Sequence, residues 1–178
     1  MSDFHFKRFS LSDDKSSLKV GTDAVLLGAW ATIEKATNIM DIGCGCGIIA
    51  LMVAQRSPAN VLGIDIDKDS VEEAKKNAKR SPWNERVDFE CISLQDFYQI
   101  SKNELFDSIV CNPPYFENSL KSPYEKKNIS KHNDLLSYED LAKIVSLLLT
   151  QNGCFNVILP LNGYEKFEKI CQKAGLFP

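Results

Sequence analysis

Residues 38–56 read NIMDIGCGCGIIALMVAQR: a short apolar run, glycines at positions 43, 45 and 47, then apolar residues at helical spacing. No other stretch restricts the fold of this chain so much. Glycine adopts the positive φ that a sharp reversal needs, so the run reads as a strand passing straight into a helix. A buried strand of this kind belongs in a mainly parallel sheet with helices on both faces. Without Cβ atoms, the turn also lets a ligand approach its backbone closely.

The alternation continues. VLGID (61–65) is a second buried-strand run, and DSVEEAKKNAKR (69–80) is a helix with an acid at its start and bases in its last turn, as the helix dipole favours. VDFECI (87–92) and FDSIVC (106–111) are strand-like. SYEDLAKIVSLLLTQNG opens on a capping box, Ser137 to Asp140, and is expected to run as a helix that closes on Gly153. CFNVILP is then a strand and NGYEKFEKICQKAG a helix ending at Gly175. Strand–helix–strand repeats imply right-handed crossovers and a doubly wound sheet. Two stretches fall outside the pattern, residues 1–36 and 112–136. The second starts at the C-terminal end of a strand, where ligands bind in open α/β sheets.

The chain has 178 residues, 44% of them hydrophobic, enough for one domain with a sizeable core. No apolar run reaches the roughly 18 residues of a membrane span, and the polar start MSDFHFKRFS is unlike a secretory leader. Of the six cysteines, Cys91, Cys111, Cys154 and Cys171 lie in or beside apolar runs and read as buried thiols in a reducing cytoplasm. Cys44-x-Cys46 is too tight for a C-x2-C knuckle and lacks a second pair, so no metal site is expected. A net charge of −3 argues against a protein that coats nucleic acid. Residues 75–86 hold five Lys/Arg against one Glu, and residues 121–132 four Lys against one Glu. Both read first as solvated surface.

Asp65, in GIDID, lies about 20 residues beyond the glycine turn, where a carboxylate can accept both hydroxyls of a ribose. Asp67 competes for that role. The spacing is G-x-G-x-G, not the dinucleotide G-x-G-x-x-G, because residue 48 is Ile48. The bland alternative is a tight turn with a capping Asp. At the end of FDSIVC stands Asn112-Pro113-Pro114-Tyr115-Phe116. Prolines cannot donate to a sheet ladder, so the stretch is a rigid loop rather than regular structure.

The D-x-G-x-G-x-G turn, Asp65 and the later N-P-P-Y together resemble the class I S-adenosylmethionine-dependent methyltransferases. The resemblance implies that Gly43, Gly45 and Gly47 line S-adenosyl-L-methionine, with Asp41 anchoring the turn, Asp65 on the ribose and Ile66 packed on the adenine. The adenine loop is CISLQDF, with Ser93 where many relatives carry Asp, so Ser93, the Leu94 backbone or Asp96 meets the adenine amine. Family members with N-P-P-Y methylate planar nitrogens. By the same resemblance, the Asn112 side-chain oxygen and the Pro113 carbonyl accept hydrogen bonds from the N–H groups of a delocalised amine, and Tyr115 stacks on its plane. Phe116 would wall the pocket.

FHFKRFSLSDDKSSLKVGTDAVLLGAW (4–30) is similar to the start of the bacterial tRNA adenine-N6 methyltransferases that modify adenine 37 of tRNA1(Val). That resemblance extends over nearly the whole chain and implies tRNA as partner. By analogy Lys19, Thr22 and Asp23 close over the methionine end of the cofactor. The alternative is a capped helix with Val25, Leu26, Leu27 and Trp30 facing the core. Lys131-His132 matches a basic residue and His in the family's loop, but His132 is read as a surface residue rather than a catalyst. Residues 1–36 would form an N-terminal extension on the cofactor site, and 37–178 a methyltransferase domain lacking the family's last two strands, which leaves a sheet edge exposed. A cytoplasmic monomer without metal is expected. The alternatives are a ribosomal RNA guanine-N2 methyltransferase, a protein glutamine methyltransferase, and a cofactor- or RNA-binding module without turnover.

Overall fold

The computed structural model describes residues 3–102, 104–113 and 136–178. Elements follow in the order β1 (Asp3–His5), β2 (Ser10–Ser12), α1 (Thr22–Trp30), β3 (Asn38–Ile42), α2 (Ile48–Arg56), β4 (Asn60–Asp65), α3 (Lys68–Lys79), β5 (Val87–Cys91), α4 (Leu94–Ile100), β6 (Phe106–Cys111), α5 (Tyr138–Leu148), β7 (Leu149–Val157) and α6 (Leu161–Lys173). The main sheet runs β5-β4-β3-β6-β7, and every pair in it is parallel. This is a doubly wound, Rossmann-like sheet whose order reverses between β3 and β6, the site of the ligand crevice in such folds.

Burial follows the apolar runs. Ile39, Val61, Val110 and Phe89 pack with α1, α2 and α3 in one cluster. Met40, Ile42, Ile64 and Ile109 pack on the other face with α4, α5 and α6. Both faces are covered, which is why these strands are apolar without alternation. The β1–β2 hairpin joins the first cluster through Phe9 and Leu11. The Phe9 and Trp83 rings meet edge to face at 5.5 Å. The start of β3 is tied to β6 by the Asp107 carboxylate, which accepts from Thr37 N at 2.9 Å and Thr37 Oγ1 at 2.6 Å. These bonds hold its carboxyl below the ordinary carboxylate range.

Three local expectations change. The helix from Ser137 does open on a capping box, with Ser137 Oγ accepting from Asp140 N at 3.0 Å, but it stops at Leu148, not Gly153. Thr150 to Gly153 lie inside β7, where the register slips between Phe106 and Ser108. A continuous apolar run of LLL conceals this change, because helix and strand periodicities agree over so few residues. In α1, Ala24, Leu27 and Gly28 are buried, whereas Trp30 is 81% and Leu26 40% exposed. The N-cap there is Gly21, without a side-chain cap bond. Among the thiols, Cys111 is buried as expected, as are Cys44 and Cys46, but Cys91 is exposed and Cys154 and Cys171 are half-buried. At Cys91 the final residue of β5 turns its side chain outward on an outer strand.

The described sheet ends at β7 on one side. No described helix is long and apolar enough to cross a membrane. The basic stretch 121–132 and His132 lie outside the described residues.

Candidate active site

Three adjacent strands finish on one level. Ile42 of β3 pairs with Ile64 of β4 and with Cys111 of β6. The next residues, Gly43, Asp65 and Asn112, therefore stand side by side across the C-terminal edge of the sheet. With strands about 4.8 Å apart, Asp65 and Asn112 flank the glycine turn at roughly 10 Å from each other. Residues 22 and 69 positions beyond Gly43 are brought beside it by parallel pairing alone.

The turn itself hooks onto β4. Gly43 N and Cys44 N both donate to Ile64 O, at 2.9 and 3.0 Å. Gly43, Gly45 and Gly47 have φ of 71°, 52° and 83°. Among the described residues, a Cβ at Gly43 would meet nothing within 4 Å, and one at Gly45 only Ser16 Oγ at 3.5 Å. These two glycines leave open space that a side chain would fill. Gly47 is glycine for a second reason: its Cβ would lie 2.7 Å from Phe89 Cζ.

Two carboxylates brace the turn. Asp41 is completely buried, and its Oδ2 accepts from Ala50 N at 3.0 Å, which fastens β3 to α2. Its Oδ1 has no partner among the described residues. Burial, with the charge of Asp65 adding, raises its pKa from 3.8 to about 7. Asp65 accepts from Gly45 N through Oδ2 and from Asp67 N through Oδ1, both at 2.9 Å. Burial raises its pKa as well. The Asp67 carboxylate is engaged elsewhere, accepting from Ser70 Oγ at 2.5 Å. Ile66, between the two acids, is 71% exposed at the edge of the crevice.

Ser93 is the N-cap of α4: its hydroxyl accepts from Asp96 N at 3.0 Å and donates to Asp96 Oδ2 at 2.8 Å. Leu94 is buried. Asp96 and Ser93 thus form one hydrogen-bonded pair at the N-terminus of α4. Asn112 is half-buried and Pro113 buried at the end of β6. Tyr115 and Phe116 lie outside the described residues. Lys19 Nζ donates to the backbone oxygens of Asp13 and, at 3.1 Å, Asp14, folding residues 13–20 into a compact loop. Thr22 is exposed at the first turn of α1.

Sequence reasoning missed one set of residues. Ser70, Glu73 and Asn77 on α3 are buried and grip residues 12–17. In DSVEEAKKNAKR they pass for ordinary solvent-facing side chains, and only their 3–4 residue spacing points to a shared face. A cleft of about 810 Å³ opens at the opposite end of the strands, lined by Asn38, Asn60, Arg86 and Glu104 among others. It contains none of the residues above and lies at the wrong end of a parallel sheet for a ligand site. No His/Cys/Asp/Glu cluster suited to a metal occurs among the described residues.

The model of the methyltransferase small domain matches residues 15–136. A Bacteroides fragilis protein named tRNA1(Val) (adenine(37)-N6)-methyltransferase is 47% identical over 178 residues, covering 98% of this chain and 74% of its own length. A Flavobacterium psychrophilum protein of the same name is 40% identical, with 98% and 75% covered. Among solved structures, a SAM-dependent methyltransferase from Agrobacterium tumefaciens superposes with a TM-score of 0.71 at 12% identity, over 98% of this chain and 58% of that one. At that identity the likeness concerns the fold.

Proposed function

The chain belongs to the tRNA1(Val) (adenine(37)-N6)-methyltransferase family, and on that premise we propose that it transfers a methyl group from S-adenosyl-L-methionine to the N6 amine of adenine 37 in that tRNA. The observation that carries the reading is the alignment of Gly43, Asp65 and Asn112 on one level at the sheet's switch point. It supports a cofactor along the turn and an acceptor amine beside Asn112.

The residues present fit the cofactor. The open space in front of Gly43 and Gly45 suits a ligand against the backbone. Asp41 Oδ1, buried and without a partner among the described residues, leaves a hydrogen-bonding position to be filled. Asp65 would accept the ribose hydroxyls at the acceptor positions that its bonds to Gly45 N and Asp67 N leave free. Ile66 packs on the adenine ring, and the Ser93–Leu94 loop meets the adenine edge. Gly47 keeps the helix start close to the turn. Lys19 and Thr22 close the methionine end from the N-terminal side, so residues 1–36 serve as an extension over the site of domain 37–178.

When bound, the cofactor supplies an electrophilic methyl group on a sulfonium centre. The protein's part is positioning and electrostatics. An adenine amine is a weak nucleophile, because its lone pair is delocalised into the ring. Asn112 Oδ1 and the Pro113 carbonyl accept hydrogen bonds from its two N–H groups, and so stabilise the positive charge that develops as nitrogen attacks; the methylated amine then releases one proton to solvent and keeps the other. The prolines fix φ, so the two acceptors are preorganised. Tyr115 stacks on the base, which leaves its own stack first. Holding amine and methyl in line adds proximity. The working unit is a cytoplasmic monomer acting on tRNA.

Incubation of total tRNA from a strain lacking the modification, followed by nucleoside mass spectrometry and position mapping, tests the reading. N6-methyladenine at position 37 is expected. Label in guanine or in protein overturns it.

A further inference from the structure

Helix α3 grips the N-terminal segment with one polar face. Glu73, 5% exposed, accepts from Ser16 N at 2.8 Å, from Lys15 N at 3.0 and 3.1 Å, and from Ser12 Oγ at 3.2 Å. One turn onward, Asn77 accepts from Ser12 N at 2.9 Å and donates to Ser12 O at 2.8 Å. The same amide donates to Cys46 O, inside the glycine turn, at 2.9 Å. One turn back, Ser70 Oγ accepts from Ser17 N at 3.2 Å and lies 3.2 Å from Ser16 Oγ. Positions 70, 73 and 77 share a face by helical spacing.

This face holds two things at once: the strap of residues 12–17 and the turn beneath it. Ser16 Oγ ends 3.5 Å from where a Cβ on Gly45 would be. The strap is therefore a wall of the space in front of the glycines. A carboxylate is a costly group to bury for packing alone. The neighbouring buried positions of α3, Val71, Ala74 and Ala78, show that this helix can cover the core with apolar side chains. Hydrogen bonds to backbone N–H groups add direction, fixing where the strap sits and how it faces.

We infer that Glu73 is a positioning residue: it seats residues 12–17 against the glycine turn, and this seating sets the affinity for the cofactor without any contact of Glu73 with it. The inference rests on the functional reading above. It assigns to α3 a role in the site, although this helix contributes none of the residues read from the motifs.

The test uses the full chain with Glu73→Ala and the near-isosteric Glu73→Gln. Binding of S-adenosylhomocysteine is measured by calorimetry, KM for cofactor and for tRNA by methyl transfer, and strap docking by the rate of trypsin cleavage after Lys15. For Glu73→Ala, a loss of at least about tenfold in cofactor affinity is expected, the scale of one hydrogen bond to a charged group. KM for the cofactor rises in parallel, kcat at saturating cofactor stays near wild type, and cleavage after Lys15 accelerates. Glu73→Gln falls between the two, since its amide oxygen still accepts, and it carries the test if the alanine variant does not fold. Faster cleavage with unchanged cofactor affinity overturns the inference, as does unchanged cleavage. Wild-type protein that binds no S-adenosylhomocysteine overturns the functional reading and this inference together. Wild type that binds, with variants that bind equally, overturns the inference alone.

Discussion

Asn112 and Asp65 stand two strands apart and divide the work of the site, so their variants should separate. Asn112→Ala removes an acceptor that matters as charge develops. A fall in kcat of about 10²–10³-fold is expected, with S-adenosylhomocysteine affinity nearly preserved by calorimetry. Asp65→Ala should weaken cofactor binding by about 1.5–3 kcal/mol. Because Asp65 also accepts from Gly45 N and Asp67 N, the variant should melt lower as well, a consequence that the motif alone does not foretell. Asp41 carries a pH signature. Its pKa is raised by burial from 3.8 to about 7 in the folded chain. Between about pH 4 and 7 the folded state keeps a proton that the unfolded state has released, so this group's contribution to stability falls as pH rises and levels off above 7. Urea unfolding across that range should show wild type losing ground to Asp41→Asn, by about 4 kcal/mol at most. Parallel pH profiles for the two proteins would mean that Asp41 titrates normally.

At the scale of elements, the glycine turn mixes two demands. Gly47→Ala drives a Cβ to 2.7 Å from the Phe89 ring at a φ of +83°, combining left-handed strain with overpacking. A loss of about 2–5 kcal/mol is expected from those two contributions, read as a lower unfolding midpoint. Gly43→Ala meets no described atom and carries only the backbone strain, so it should cost about 1–2 kcal/mol yet weaken cofactor binding more than Gly47→Ala does per unit of stability lost. Strand–turn–helix was legible at residues 38–56 because apolar run, glycines and helical spacing agree. The end of α5 was not: LLL fits either element, and only pairing of Leu149 with Phe106 decides that β7 has begun. Nor was Trp30 legible, since an apolar residue in a helix does not say which face the sheet will cover.

Across the whole molecule, the N-terminal segment is stitched into the main core rather than laid on it. Leu11 is fully buried in the same cluster as Ile39, Ile49 and Val61. Leu11→Ala should therefore destabilise the entire fold by about 2–5 kcal/mol, in a single cooperative urea transition. An early separate transition for the hairpin would contradict this. The sequence by itself determined the doubly wound sheet, the turn and the residues at its edge, because apolar runs, glycine spacing and a rigid proline loop are local signals. Only the tertiary structure decided what lies next to what. It set Gly43, Asp65 and Asn112 on one level through the parallel register, and it buried Glu73 and Asn77 beneath the strap. Those contacts join residues 57 to 65 positions apart, and no local pattern carries information over that distance.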